Sequence, residues 1–225
     1  MPITTVLFDL DETICEHPRS GEDRLNAAFE RADIEPFFDT ADIRRWLPKI
    51  NEDNDLEFRR ALFRAIAREK QRDLHIASDL VDAYREPDPT RVQFLPGAKQ
   101  VLETFASDYR LGLVTNGPRE TQQLKLDALD ITDAFDTTIF SEPGRPVKPD
   151  TEPFERALTL LDASPQTSVH VGNSIRSDVA GANAAGLHSV WVPRPASIVD
   201  REQTSVIPDE TIETLSQLPA VVSES

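Results

Sequence analysis

The sequence predicts an α/β protein: a Rossmann-like parallel sheet with helices on both faces, interrupted once by an inserted helical segment. Three observations carry this expectation. Short apolar runs of three or four residues recur along the chain, as strands of a buried parallel sheet do. Helix-start signals separate the later runs. Between the first run and the second lies a stretch of about eighty residues whose only clear periodicity is helical.

The runs are Val6–Leu7–Phe8, Leu111–Gly112–Leu113–Val114, Thr138–Ile139–Phe140, Val169–His170–Val171 and Val190–Trp191–Val192. Pro118 follows Asn116–Gly117 and Pro153 follows Asp150–Thr151. Each sets a proline in the first turn of a helix, where its missing N–H has no partner to lose. A third helix is expected near Ser174, with Gly181, Ala182, Ala185 and Gly186 spaced for close backbone packing. Regular strand–helix–strand order implies a parallel sheet covered on both faces. Within the interruption, Phe58, Ala61, Leu62, Ala65 and Ile66 share one helix face and predict a helix from Asp53 to Gln71. Leu25, Ala28 and Phe29 predict an earlier helix, and Leu74 to Tyr84 a later one. Pro87 and Pro89 mark a return linker. The expected organisation is a core of residues 1–16 and 90–225, with an inserted helical domain over 17–89, long enough for a small apolar core of its own. The tail after Pro195 is polar, and Pro208 to Leu218 is expected to form a last short helix.

Composition narrows the function. Of 225 residues, 39% are hydrophobic and 28% charged, a globular balance. The 24 basic residues against 40 acidic ones give a net charge of −16, which argues against a nucleic-acid partner held by charge. No apolar run is long enough to span a membrane, and the first residues lack a signal-peptide pattern, so a cytoplasmic protein is the expectation. The single cysteine, Cys15, cannot form an intrachain disulfide or a multi-cysteine metal site. Only five of the basic residues are lysines: Lys49, Lys70, Lys99, Lys125 and Lys148. Many acids with few lysines suit a salt-rich, halophilic cytoplasm, where salt screens carboxylate repulsion; an ordinary acidic protein is the alternative.

Four segments carry candidate chemistry. Val6-Leu7-Phe8-Asp9-Leu10-Asp11-Glu12-Thr13 delivers two carboxylates to the carboxyl end of the first strand, where open α/β sheets bind ligands. Two acids so placed can divide the work of nucleophile and proton donor. Leu113-Val114-Thr115-Asn116-Gly117 ends a second strand with a hydroxyl and a glycine before a helix, a place where an anion can be held. Pro146-Val147-Lys148-Pro149-Asp150 presents a lysine between two prolines. Gly172-Asn173-Ser174-Ile175-Arg176-Ser177-Asp178 follows a further strand with an amide oxygen and a carboxylate, hard ligands suited to magnesium.

In this order the segments resemble the haloacid dehalogenase superfamily of hydrolases, most of whose members are phosphatases. Asp9, Asp11 and Thr13 match its Asp-x-Asp-x-Thr motif, Thr115 its strand-end Ser or Thr, Lys148 its lysine, and Gly172 and Asp178 its fourth motif. The helical insertion falls where the family carries its first type of cap domain, as in phosphoglycolate phosphatase-like members. The resemblance implies a magnesium-dependent phosphatase acting on a small phosphorylated metabolite. Asp9 would attack phosphorus, and Asp11 would protonate the leaving alcohol and then activate water. Thr115, Asn116 and Lys148 would hold the phosphate, and magnesium would sit among Asp9, the backbone carbonyl of Asp11, Asn173 and Asp178.

One residue departs from the pattern: Asn173 stands where the family usually has an acid, and its amide oxygen brings no charge to a metal. A plain helix cap is the alternative reading of Asn173. Arg60, Arg64 and Arg68 lie opposite the apolar face of their helix and are expected in solvent. Lys49 invites comparison with phosphonate-cleaving relatives that form a Schiff base, but these lack the second aspartate present here as Asp11. His170 lies within a strand and reads as structural, and Cys15 as a small packed side chain. A phosphomutase sharing the same aspartates and a catalytically silent phosphate-binding module are the rival functions. The oligomeric state and the particular substrate are left open.

Overall fold

Successive side chains of a strand point to opposite faces, so an unbroken apolar run demands cover on both. β1 (Thr5–Phe8) meets that demand: Val6 and Phe8 enter one apolar cluster and Leu7 another, all fully buried. The computed structural model describes residues 2–18, 21–50, 55–84, 89–194 and 205–224. Residues Met1–His17 with Pro89–Ser225 form one compact unit, and Pro18–Asp88 a second.

The first unit is built on a six-stranded sheet in which every pairing is parallel. Its strands are β1, β4 (Arg110–Pro118), β5 (Thr137–Ser141), β6 (Ser168–Gly172), β7 (His188–Trp191) and β8 (Glu210–Thr211), in the order β5-β4-β1-β6-β7-β8. β1 is central, and the chain winds outward from it in both directions. The crevice at such a reversal, beyond the carboxyl ends of the strands, is where α/β folds bind ligands. On one face α5 (Ala98–Phe105) packs Val101, Leu102 and Phe105 into the main cluster, with Leu126 of α6 (Arg119–Leu129) and Leu218 of α9 (Leu218–Glu224). On the other, α7 (Glu152–Leu160) and α8 (Ala180–Ala185) contribute Phe154, Ala157, Leu158 and Ala182.

Three local features differ from the sequence expectation. The helix expected over Pro208 to Leu218 is absent: Glu210 and Thr211 extend the sheet edge as β8 instead. Asp209 anchors them by accepting the Ser189 backbone N–H and hydroxyl, at 2.8 and 2.9 Å. Helix restarts only where Thr214 and Gln217 form a capping box, the Gln217 side chain accepting the Glu213 N–H at 2.7 Å. Second, two short strands, β2 (Cys15–Glu16) and β3 (Gln93–Phe94), pair antiparallel where no strand was expected. Third, the turn after β6 is a π-helix over Ile175–Val179, capped by Ser174, before α8 begins.

Among its described residues the second unit holds four α-helices: α1 (Gly21–Ala32), α2 (Thr40–Trp46), α3 (Asp55–Glu69) and α4 (Leu74–Tyr84). The start expected at Asp53 and the linker proline Pro87 lie outside the described residues, as do residues 195–204 of the tail. α2 carries too few apolar residues to announce itself; a capping box between Asp39 and Asp42 starts it. Leu25, Phe29, Leu62, Phe63, Ile66 and Leu80 share one core, in which Phe29, Phe37, Phe38, Phe63 and Tyr84 meet in edge-to-face or tilted pairs 4.9–5.6 Å apart. Arg64 and Arg68 are exposed, and Arg60 pairs with Glu57 at 2.8 Å, as a solvated helix face does.

Phe63 links the Phe29, Phe37 and Phe38 cluster to Tyr84. Phe63→Ala is expected to destabilise the protein by about 3–5 kcal/mol, read as a lowered denaturation midpoint. A change under about 1 kcal/mol would show that the aromatic chain does not hold this unit together.

Candidate active site

β1 ends by handing its chain to a tight turn. The Asp9 N–H continues the pairing to β6 through the Val171 carbonyl, at 2.9 Å. Beyond it the N–H groups of Ile14 and Cys15 both turn back to the Leu10 carbonyl, at 2.9 and 3.1 Å, and Glu12 adopts a left-handed φ of 57°. The fold thus fixes Asp9 and sends Asp11 toward the end of β4.

Lys148 is the centre of the site. Its buried ammonium donates to Asp9 Oδ1 at 2.8 Å, Asp178 Oδ1 at 2.7 Å and the Val114 carbonyl at 2.6 Å, using all three of its protons. The loop bearing it is tied to β4 by Asn116, whose Nδ2 donates to the Lys148 carbonyl at 2.8 Å while its Oδ1 accepts the Lys148 N–H at 2.9 Å. Asp178 also faces His170 Nε2 at 3.2 Å, and its Oδ2 accepts the Ser174 N–H at 2.9 Å. Gly172 leaves the space it needs: a Cβ there would lie 2.3 Å from Asp178 Cγ. Thr13 Oγ1 reaches Asp9 Oδ2 at 3.3 Å.

Two buried carboxylates face one ammonium, and the electrostatics follow. Burial pushes the Asp9 carboxyl up to about 7; Lys148 opposes this and Asp178 adds to it. Burial also works against ionised Asp178, but Lys148 and His170 outweigh it and hold that carboxyl below the usual range. Burial lowers the Lys148 ammonium, and the two aspartates more than reverse it, so it stays charged. Burial, with Lys148 nearby, lowers His170 and keeps its ring neutral. Burial raises the Cys15 thiol far above its ordinary value, leaving it inert.

Asp11 stands apart from this cluster and has its own partners. Lys125 Nζ lies 2.5 Å from Asp11 Oδ1, and Gln122 Nε2 donates to Asp11 Oδ2 at 2.8 Å and is 2.7 Å from Thr115 Oγ1. The Gly117 N–H also reaches Thr115 Oγ1, at 3.2 Å. Arg194 forms a further pair with Glu16 at 2.5 Å, beside Glu12 at 3.4 Å.

Asp9, Asp11, Thr115, Asn116, Lys148 and Asp178 are therefore gathered at the carboxyl ends of β1, β4 and β6. Asn173 is half-buried just past β6; its carbonyl accepts the Trp191 indole N–H at 2.8 Å, and Ser174 caps the turn that follows. Sequence reasoning did not single out Gln122 and Lys125. The available signal was that Lys125 is one of five lysines, three residues from Gln122 and so on the same helix face. Lys49 belongs to the second unit, where its ammonium stacks 4.6 Å from the Trp46 ring. For a metal, the donors are carboxylate, amide and carbonyl oxygens with an excess negative charge, a set that fits a hard divalent cation. No preformed cage of three acidic, histidine or cysteine side chains exists among the described residues. A cation here would thus keep much of its water, as magnesium does.

The site thus lies at an aspartate-bearing strand end, at the reversal point of a doubly wound sheet, with one lysine shared between two carboxylates. The model of the haloacid dehalogenase-like hydrolases matches residues 3–186, and the chain belongs to that family. It is 32% identical to the ribulose-1,5-bisphosphate 5-phosphatase of Halopiger xanaduensis, over 98% of this chain and 99% of that protein. It is 30% identical to the pyrophosphatase PpaX of Bacillus cereus, over 82% and 81%. Among solved structures, the magnesium-bound HAD-hydrolase YfnB of Bacillus subtilis shares the fold with a TM-score of 0.74 at 23% identity, covering 99% of each chain. A HAD phosphatase from Thermococcus onnurineus aligns with a TM-score of 0.62 at 25% identity over 98% of each.

The raised Asp9 has a consequence for stability. Its carboxyl holds a proton more tightly folded than unfolded, about 7 against 3.8, so its contribution is complete below about pH 4 and is lost as pH rises through about 7. In a chelating buffer, Asp9→Asn is expected to remove that loss: its melting temperature should fall less from pH 5 to pH 8 than the parent's. Parallel melting curves across that range would refute the assignment.

Proposed function

We propose that the protein is a magnesium-dependent phosphatase that hydrolyses a small organic phosphomonoester through an aspartyl phosphate on Asp9. The observation that carries this is the ammonium of Lys148 shared between Asp9 and Asp178, next to an Asp11 separately paired with Lys125. The phosphatases among its relatives support the same reaction class. Asp9 attacks phosphorus, the bond from phosphorus to the leaving oxygen breaks, and Asp11 donates the proton that oxygen needs. Water then attacks the phosphoryl group, Asp11 takes its proton, and the Asp9–phosphorus bond breaks. Thr115 hydrogen-bonds the phosphoryl group, Lys148, whose three protons are already engaged, offsets its charge, and Asn116 holds the Lys148 loop in place. Asp9, the Asp11 carbonyl, Asn173 and Asp178 would hold the magnesium, which would supply charge neutralisation to the transferring group.

The helical unit over Pro18–Asp88 is read as the cap that selects the leaving group. The acid-rich, lysine-poor composition supports a cytoplasmic setting of high salt. No helix among the described residues is long and apolar enough to cross a membrane.

Phosphate release from an aryl phosphate tests the activity directly, with and without magnesium, in dilute and in molar potassium chloride. Magnesium-dependent release that Asp9→Asn abolishes, with the circular dichroism spectrum unchanged, is the expected result. Activity retained in Asp9→Asn overturns the mechanism. Asn173→Asp replaces a neutral oxygen donor by a charged one and is expected to tighten magnesium binding by on the order of tenfold in calorimetry, the low end of what altering groups around a metal does to affinity. Unchanged affinity would remove Asn173 from the metal site.

A further inference from the structure

Helix α6 buries the wrong residues for a helix that only packs. Leu124 is 44% exposed, whereas Gln122 and Lys125 are 1% and 5% exposed. Burying a lysine and an amide is costly unless their polar groups are satisfied, so this face is spent on specific partners. Those partners are Asp11 and Thr115. Lys125 binds one carboxylate oxygen of Asp11, Gln122 binds the other, and the same Gln122 amide nitrogen reaches the Thr115 hydroxyl.

A second observation comes from the strand opposite. A Cβ on Gly117 would lie 2.4 Å from Gln122 Cδ and Nε2 and 2.7 Å from its Cγ. The end of β4 is therefore cut back at the place where the Gln122 side chain passes. Gly117 carries none of the positive φ values found at Gly97, Gly144 and Gly186, so its requirement is room.

We propose that Gln122 and Lys125 are positioning residues for the reaction: together they fix both oxygens of Asp11 and lock it in register with the phosphate contact Thr115. This rests on the phosphatase reading of the site. Without the two anchors, a half-exposed aspartate side chain on a turn has three staggered rotamers to visit. With them, the proton donor and the hydroxyl that marks the phosphoryl position are held by one side chain. Misplacing a proton donor costs rate in proportion to how much the leaving group needs the proton, which gives the proposal its own signature.

The variants are Lys125→Met, Gln122→Met and Gly117→Ala, the last of which keeps the glutamine but displaces it. Each is assayed on an aryl phosphate, whose leaving phenolate needs little protonation, and on an alkyl phosphate, whose alkoxide needs it fully. The expected result is a fall in kcat/KM of about 10- to 100-fold on the alkyl ester, within the range that general acid catalysis contributes, and less than about threefold on the aryl ester. Lys125→Arg should recover part of the alkyl activity, since it restores a cationic donor. Equal losses on both esters, with melting temperature lowered to match, would reduce Gln122 and Lys125 to packing residues. No loss on either would remove them from the reaction. A parent enzyme that releases no phosphate from either ester is a separate result, and it overturns the phosphatase reading itself.

Discussion

Everything at the strand ends depends on one buried ammonium. Asp9 and Asp178 are each nearly sealed from water, and two carboxylates so close cannot both ionise without a cation between them. Lys148 is that cation, and the surrounding chain holds it in place. Asn116 clamps its backbone with two hydrogen bonds, the Val114 carbonyl takes its third proton, and Gly172 makes room for the Asp178 carboxyl. These parts come from β4, the loop after β5, and β6. They converge because β1 is central in the sheet, with β4 and β6 as its two neighbours.

The same geometry explains how two aspartates two residues apart come to differ. Asp9 shares its lysine with a second buried carboxylate, so its charge is incompletely balanced. Asp11 has Lys125 to itself and is far more open to water. Different environments for paired carboxylates are how one site runs nucleophilic and proton-transfer chemistry together. In the proposed reaction that division would follow from which helix or loop supplies each lysine.

Asp9, Asp11, Thr115, Lys148 and Asp178 were legible in the sequence because each follows an apolar run or a proline-restrained turn, and the sheet brings strand ends together. Gln122 and Lys125 were not, because an amphipathic reading of α6 buries its leucines and leaves polar residues outside; Leu126 obeys that rule and Leu124 breaks it. Only tertiary context reveals a polar residue buried for its partner. His170 was rightly placed in a strand, but its contact with Asp178 crosses from β6 to the following turn and has no sequence signature. The edge strand β8 was missed for a related reason. Two exposed residues, Glu210 and Thr211, carry no strand pattern, and Asp209 bonding to Ser189 puts them there.

Charge balance also gives a physical reading of Asn173. With Asp9, Asp11 and Asp178 all ionised, three carboxylates against Lys125 and Lys148 give the site one negative charge, in a chain already at −16. A phosphomonoester is close to doubly negative at neutral pH and must enter against that field. With a divalent cation in the proposed site, the balance becomes positive by one charge, enough to draw the anion in. An aspartate in place of Asn173 would return the loaded site to neutrality. In the proposed magnesium site, Asn173 would therefore trade metal affinity for attraction of substrate.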